Sequence, residues 1–426
     1  MLAQRILIDI FIFGVITTLF FTLFSQFGAI YYDLSETLKE KDKKKHPYLR
    51  KYRDYRPTLS IIIPAHNEEA VIKRCLSALI KSTYRKIEII VADDASTDGT
   101  KRVVKDFITE NPRFDIKLVA KWKNGGRGAA IDAGLSKTSG ELVMALDADC
   151  VVDRLALRNM VRHFIDKEVV AVAANIRIIK SDTVVSLLQE FDYLSSFRSK
   201  KVNTMFKCEH IVGGAGATYR TETLKKIRGF DHTMQTEDIE LSLRIARVLG
   251  SKKHRLVYAS DVVVHTEPVP SYKSLFKQRY RWKFGSLQAI WSHRRLLFSF
   301  DRKHSMFLSW VRLPYLLISE LMLLIEPVLL TYFLYLAIVY RNPTLFAVAT
   351  ITISSLLFVA IWSDEHHSFR YRLRLSFYAP TMYLIFYLMT VIQILAATKC
   401  VRNVNQLIGN GNKYITGAYI SPERIG

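Results

Sequence analysis

Cysteine is scarce in this 426-residue chain, and its four copies, Cys75, Cys150, Cys208 and Cys400, never form a CxxC pair. That scatter excludes a zinc ribbon and a disulfide framework, and it fits a domain facing a reducing cytosol. Internal repeats and low-complexity tracts are missing, which removes solenoid architectures. None of the familiar DNA- or RNA-binding motifs occurs, so nucleic acid is not an expected partner. Acidic residues are also in deficit, 39 against 61 basic ones, for a net charge of +22. Such an excess points to nucleic acid, anionic lipid or a phosphorylated substrate. Half of the residues are hydrophobic, and the apolar runs gather at both ends of the chain beside Lys and Arg. The bilayer therefore accounts for most of the positive charge.

From about residue 6 to 32 the sequence is apolar almost throughout, with only Asp9 charged. This exceeds the roughly 20 residues that cross a bilayer. Residues 1–34 are expected to form a membrane helix, since the run is too long for a signal-peptide core and no small-residue cleavage site precedes the charges. Residues 35–57, with Lys43, Lys44 and Lys45 in a row, read as a basic juxtamembrane linker on the cytoplasmic side. Further candidate spans lie near 315–340, 344–362 and 375–398, within a membrane region at 305–400 that precedes a tail at 401–426. Glu320 and Glu326 stand in apolar surroundings, where a carboxylate either faces a polar path or has a structural partner.

Between these ends, residues 58–270 alternate strand and helix. A β-branched run at 59–63 stops at Pro64, a second at 87–92 stops at Asp93 and Asp94, and 69–81 has helical spacing. That alternation predicts a parallel sheet whose ligands lie beyond the carboxyl ends of its strands. Polar clusters sit at those ends: Pro64-Ala65-His66-Asn67-Glu68 after the first strand and Asp93-Asp94-Ala95-Ser96 after the second. A turn before a capped helix explains the second cluster as well as a site does. A third strand, 117–120, leads to Asn124-Gly125-Gly126-Arg127-Gly128. There a backbone can approach a ligand and Arg127 can hold a diphosphate, although a flexible loop has the same composition.

A fourth strand, 142–146, runs into Asp147-Ala148-Asp149. Residues two apart on an extended segment point to one side, so Asp147 and Asp149 can converge on one hard divalent cation, Mg2+ or Mn2+, bridging diphosphate oxygens. Left without a positive partner, the two carboxylates would repel and one would tend to stay protonated. Further on, Thr236-Glu237-Asp238 opens an amphipathic helical stretch through Ile239, Leu243 and Ala246 to Gly250, with Thr236 placed as its N-cap. Gln278, Arg281 and Trp282 form a QxxRW pattern within 271–304, a segment read as interfacial amphipathic helices.

Four signatures in this order, the Asp93-Asp94 pair, Asp147-Ala148-Asp149, Thr236-Glu237-Asp238 and the QxxRW pattern, resemble the family-2 glycosyltransferases of the GT-A fold. They are most similar to the membrane-embedded processive branch of cellulose, chitin, hyaluronan and poly-N-acetylglucosamine synthases. The resemblance implies an α/β, Rossmann-like GT-A domain in the cytosol, inserted between N- and C-terminal transmembrane helices of a plasma-membrane protein. It implies a UDP-sugar donor, with Asp93 and Asp94 on the uridine or ribose and the backbone of Ala65, Asn67 and Glu68 beside the uracil. Asp147 and Asp149 would serve the metal and diphosphate, with Arg127, Gln278 and Arg281 on the same phosphates. Asp238 would be the general base, and Glu237, Trp282 and the small residues Gly214 and Gly216 would face the acceptor. Relatives commonly carry Lys where Arg127 stands; Arg keeps the charge and adds a planar fork.

The implied activity is inverting, processive transfer to a growing β-linked polysaccharide, coupled to export and served by accessory export subunits. A poly-N-acetylglucosamine-like product comes first and a cellulose-like glucan next. A single transfer to a lipid-linked acceptor would use the same donor site and base. A non-catalytic membrane scaffold would be expected to have lost some of the aspartates.

Overall fold

Strands form here where short apolar, β-branched blocks occur, and helices where apolar residues recur every third or fourth position. A computed structural model describes residues 2–43, 55–179, 183–341, 344–364 and 366–405. Helix α1 (Leu2–Lys43) runs on past residue 34 into the start of the basic linker. The rest of that linker, 44–54, lies outside the described residues. The chain continues as β1 (Leu59–Ala65), α2 (Ile72–Ile80), β2 (Ile87–Asp93), α3 (Thr100–Glu110), β3 (Ile116–Ala120), α4 (Arg127–Leu135) and β4 (Leu142–Ala145). Next come β5 (Val151–Val152), α5 (Ala156–His163), β6 (Val169–Ile178), α6 (Val184–Met205), β7 (Ala217–Arg220), α7 (Thr221–Lys226), α8 (Glu237–Ile245) and β8 (Arg255–Thr266). The remaining helices are α9 (Tyr272–Ser292), α10 (Leu313–Val339), α11 (Thr344–Trp362) and α12 (Phe369–Arg402).

One sheet has the order β3-β2-β1-β4-β7-β6-β8-β5. Strands β3, β2, β1 and β4 are parallel, as the alternation of strands and helices predicts. Strand β7 then enters antiparallel to both β4 and β6, so the whole sheet is mixed. Successive side chains of a strand point to opposite faces, and both faces are buried. Ile61 and Ile63 pack with Leu76, Leu79 and Val91 on one side. Ile62 packs with Ile131, Val143 and Tyr219 on the other.

At the edge of the sheet remote from the strand carboxyl ends, Glu88 is a buried structural carboxylate. It accepts from the Ser60 hydroxyl, from the Ser139 N–H at 2.6 Å and from the Gly140 N–H at 3.0 Å, and it pairs with Lys117 at 3.2 Å. Burial alone would push the carboxyl up, but these donors outweigh it and bring the pKa down from 4.5 to about 2. A depressed folded-state pKa stabilises above the unfolded value, and that contribution is lost as pH falls through the folded one. Glu88→Gln is therefore expected to cost about 2–4 kcal/mol at neutral pH, with charged-acceptor hydrogen bonds as the basis. The gap to wild type, followed as thermal midpoint, should close as pH falls from 4.5 toward 2.

The sheet is joined firmly to the helices that follow it. Leu187, Phe191 and Leu194 of α6 pack against Leu357, Ile361, Leu375 and Met382 of α11 and α12. At the end of β6 the Arg177 guanidinium forks onto Asp364, with Nη2 at 2.7 Å from Oδ1, and His367 Nδ1 lies 2.7 Å from the same carboxylate. Among the described residues, 385–402 of α12 is long and apolar enough to cross a membrane, and Thr350–Trp362 is a shorter apolar stretch. The carboxylate of Glu320 pairs with Lys283 of α9, which is the structural alternative for that residue. The side chain of Glu326 lies outside the described set.

Candidate active site

The carboxyl ends of β1, β2 and β4 meet at a cleft lined by Ala65, His66, Glu68, Asp94, Arg127 and Asp147. Ala65, Glu68, Asp94, Arg127 and Asp147 are among the donor-site residues expected from the sequence, and Pro64, Ala130 and Ala148 complete the lining. Two other expected donor residues sit just behind the lining. Asn67, in a left-handed conformation, accepts from the Thr97 N–H at 2.9 Å and donates its own N–H to Ser96 at 3.0 Å, so it stitches the two strand-end loops together. Asp93 is fully buried; its Oδ2 accepts from the Ser96 N–H at 3.2 Å and faces Lys101 at 3.4 Å. Its Oδ1 has no hydrogen-bond partner, an acceptor held without a donor at the base of the loops. Such an atom is costly unless something fills it.

Asp94 has a different environment from Asp93. Lys121 pairs with it at 2.5 Å, and the Gly125 and Gly126 N–H groups donate to it at 3.0 and 2.7 Å. It anchors the glycine-rich loop against β2, a role the sequence did not reveal because it depends on the parallel register of β2 with β3.

Arg127 begins α4 and is the centre of the site. Its Nε donates to Asp147 Oδ1 at 2.8 Å, Nη1 pairs with Glu237, and Nη2 donates to the Gly214 carbonyl at 2.9 Å. One planar fork thus joins the ends of three segments far apart in the chain, a geometry that an ammonium group lacks. A Cβ on Gly214 would lie 2.8 Å from Arg127 Nη2 and 3.3 Å from Asp238 Oδ2, so a larger residue there would push the guanidinium aside. Gly216, in a left-handed conformation, carries the turn into β7.

Asp147, Asp149 and Cys150 bring ligand atoms within 4.8 Å of one another. Burial, reinforced by both carboxylates, pushes the Cys150 thiol up. The two carboxylates are hard oxygen donors, the chemistry suited to Mg2+ or Mn2+. The proximity of Cys150 was not singled out from the sequence, although it directly follows the aspartate pair.

Asp238 stands in the first turn of α8. Its Oδ2 accepts the Gly214 N–H at 2.7 Å and its Oδ1 accepts the Ile239 N–H at 2.8 Å. Burial pushes its pKa up from 3.8 to about 6, with neighbouring Glu237 adding to the rise, while Arg127 and the two N–H donors oppose it. A carboxylate tuned toward neutrality is suited to exchange a proton in that range. Thr236 occupies the N-cap position, but its side chain does not cap: the hydroxyl is buried with no hydrogen-bond partner. The expectation of a Thr236 cap is corrected accordingly, and the reason is the neighbouring helix.

That neighbour is α9, which carries the QxxRW residues. A Cβ on Gly285 would lie 2.3 Å from Thr236 Oγ1, so the two segments touch backbone to side chain. Gln288 accepts the Gln235 N–H at 3.4 Å, and His293 Nε2 lies 2.9 Å from Glu240. Helix α9 therefore clamps the start of α8, and the stretch expected as interfacial helices is in large part a wall of the site. Gly285→Ala is expected to displace Asp238 and lower turnover roughly ten- to a hundredfold with nucleotide binding retained, the penalty for a small misplacement. Steady-state kinetics beside nucleotide binding checks this. Within α9, Gln278 Oε1 is buried without a partner. The Trp282 indole has the Arg279 guanidinium over it at 4.5 Å and the Tyr193 ring nearly parallel at 6.5 Å. Tyr193, which the sequence did not mark, is partly buried there, and burial pushes its phenol up to about 12.

Residues 60–228 match the family model described as Glycosyl transferase family 2. The chain is 29% identical over 260 residues to the probable glycosyltransferase YdaM of Bacillus subtilis, a match covering 59% of this chain and 60% of that protein. It is 26% identical over 283 residues to a poly-beta-1,6-N-acetyl-D-glucosamine synthase of Staphylococcus epidermidis, covering 66% of each. The chain thus spans about three fifths to two thirds of the length of these curated relatives. Its fold is similar to the solved mannosyltransferase PcManGT of Pyrobaculum calidifontis, in complex with GDP-Man and Mn2+: TM-score 0.56, 22% identity, covering 92% of this chain and 99% of that one.

Proposed function

Because residues 60–228 are a glycosyl transferase family 2 domain, we propose that the protein transfers a sugar from a UDP-sugar, with inversion, to a growing β-linked polysaccharide that it passes across the plasma membrane. Poly-N-acetylglucosamine is the favoured product, in keeping with the staphylococcal synthases among its relatives, and a cellulose-like glucan is second. The observation that carries the reading is the connected unit Asp147–Arg127–Gly214–Asp238, which puts a strand-end carboxylate pair and a carboxylate poised near neutrality in one site.

The donor lies in the cleft, with the backbone of Ala65, Asn67 and Glu68 beside the uracil, Asp93 and Asp94 on the side of the uridine or ribose, and Arg127, Gln278 and Arg281 facing the diphosphate. Asp147 and Asp149 hold Mg2+ or Mn2+; a bound cation supplies charge stabilisation to the departing diphosphate. Asp238 takes the proton of the acceptor hydroxyl as that oxygen attacks the anomeric carbon and UDP leaves. No carboxylate nucleophile is required, so an α-linked donor yields a β-linked product. Gly214, Gly216, Glu237 and Trp282 border the acceptor, and the helices on both sides of the domain hold it at the cytoplasmic face of the membrane, where UDP-sugars are made.

The test is incubation of the purified full chain with radiolabelled UDP-N-acetylglucosamine, UDP-glucose and GDP-mannose, followed by sizing of the product. GDP-mannose belongs in the panel because a fold neighbour binds a guanosine donor. Long, alkali-stable polymer from a UDP-sugar supports the proposal. One sugar on a solvent-extractable lipid overturns processivity in favour of a lipid carrier, and no transfer from any donor overturns the enzyme reading.

A further inference from the structure

We propose that the notch between α9 and the last turn of α12 binds the phosphate headgroup of an anionic phospholipid, which ties the helix carrying Gln278, Arg281 and Trp282 to the bilayer. The inference rests on the membrane placement proposed above and deepens it. The notch has a volume of 540 Å3 and is lined by Phe276 of α9 and by Leu395, Thr398, Lys399, Arg402 and Asn403 at the end of α12. No acidic side chain is among them. Among the described residues neither Lys399 nor Arg402 makes an ion pair; the Lys399 ammonium rests 4.4 Å from the centre of the Tyr280 ring and 5.9 Å from that of Phe276. Glu320 on the adjoining α10 is already paired with Lys283.

Basic residues in a last helical turn are ordinary, since they complement the helix dipole. Two further features make this turn a site. The first is depth. The apolar stretch long enough to cross a membrane is 385–402, so Lys399 and Arg402 fall at its end, the level at which lipid phosphates lie. The second is the mixed lining. Phe276 and Leu395 form an apolar wall directly beside the two cations. A free phosphate would use the cations and leave that wall in water, whereas a phospholipid satisfies both, headgroup on the cations and chain on the wall.

A lipid there would act on α9. Gly285 and Gln288 meet the start of α8 on one side of that helix. Phe276 is nine positions before Gly285, about two and a half turns, and so lies on the other side. Leu275 and Phe276 pack against Met389 and Ile392 of α12, and the Asn403 amide donates to the Tyr280 hydroxyl at 3.0 Å. The headgroup continues this seam and holds α9 from the side opposite Asp238.

The test is native mass spectrometry of the purified full chain in neutral detergent, titrated with dioleoyl phosphatidylglycerol or dioleoyl phosphatidylcholine. Wild type is expected to retain the first phosphatidylglycerol about tenfold more tightly than phosphatidylcholine, each cation near an anionic group being worth about fivefold. Lys399→Gln combined with Arg402→Gln should bring the two lipids to within about twofold of each other. Phe276→Ala keeps every charge but removes the wall, and it should also weaken phosphatidylglycerol, about threefold or more. Inorganic phosphate at matched ionic strength should not displace the lipid; displacement would assign the notch to a free phosphate-bearing solute and overturn the proposal. Equal retention of both lipids by wild type overturns it too, as does a preference that survives in the double variant. Flotation with phosphatidylcholine vesicles separates the two levels of argument. If wild type does not float, the membrane placement fails and the lipid site with it. If wild type and the double variant float alike and both keep the preference, the notch alone is wrong.

Discussion

Asp238→Asn is expected to lower turnover by roughly two to four orders of magnitude, the usual loss when a positioned general base is removed. The substitution keeps the shape and one acceptor oxygen for the Gly214 or Ile239 N–H, but it cannot take a proton. Nucleotide binding should stay near normal, since Asp238 touches Gly214 and its own helix and does not line the cleft proposed for the donor. Stability gives an independent sign. The folded pKa, pushed up to about 6 from 3.8, means that holding Asp238 ionised in this site opposes folding. That penalty is absent below the unfolded value and fully present above the folded one. The Asn variant should therefore melt at the same or a higher temperature than wild type at neutral pH, which a structural carboxylate such as Glu88 would not do. Activity of wild type should fall as pH drops below about 6, because protonation removes the base. Loss of nucleotide affinity together with activity, or a lower melting temperature, would assign Asp238 to structure instead.

The parts of this site that could be read from sequence are those whose geometry is local. Asp147 and Asp149 follow β4, but strand alternation is not what pairs them: Ala148 and Asp149 form a turn closed by the Cys150 N–H on the Asp147 carbonyl at 3.0 Å, a local geometry that still brings their oxygens within 4.8 Å. Glu237 and Asp238 are likewise placed by the start of a helix. Arg127 shows where such reasoning stops. Its charge beside glycines suggested phosphate, but its partners lie 20 and 110 positions away and come together only through the sheet order. The two adjacent aspartates at the end of β2 make the same point. Sequence treats Asp93 and Asp94 alike, yet alternation across the strand sends one into a buried pocket with an unmet acceptor and the other onto the neighbouring loop. The antiparallel entry of β7 had no local signal either, because a four-residue strand after a glycine-rich loop has the same composition in either direction. Thr236 failed as a cap for a packing reason: Gly285 of α9 presses against its hydroxyl, a contact between residues about fifty apart.

Trp282→Ala should reduce the product from long polymer to at most a few sugars while membrane insertion and nucleotide binding persist. An indole at this position has two ordinary roles, an interfacial anchor or a platform for a sugar ring. The surroundings of Trp282 favour the platform. An anchor would have its ring among lipid-facing neighbours, whereas Trp282 is only partly exposed and lies beside Tyr193. Arg279, itself held by Asp192 at 2.8 Å, covers one face of the indole at 4.5 Å. The Tyr193 ring lies nearly parallel at 6.5 Å, so a sugar on the indole takes the place beside Tyr193 only as that ring moves aside. Stacking there would keep the terminal hydroxyl of the acceptor near Asp238 after each addition, the positioning that repeated transfer needs. The first transfer depends on it less, because the donor and the base are placed by other residues. The variant should accordingly retain a measurable rate of single additions, and Trp282→Phe, which keeps an aromatic face, should recover much of the product length. Full-length polymer from Trp282→Ala would refute the platform. Failure of that variant to insert, with Trp282→Phe failing equally, would return the residue to the role of anchor.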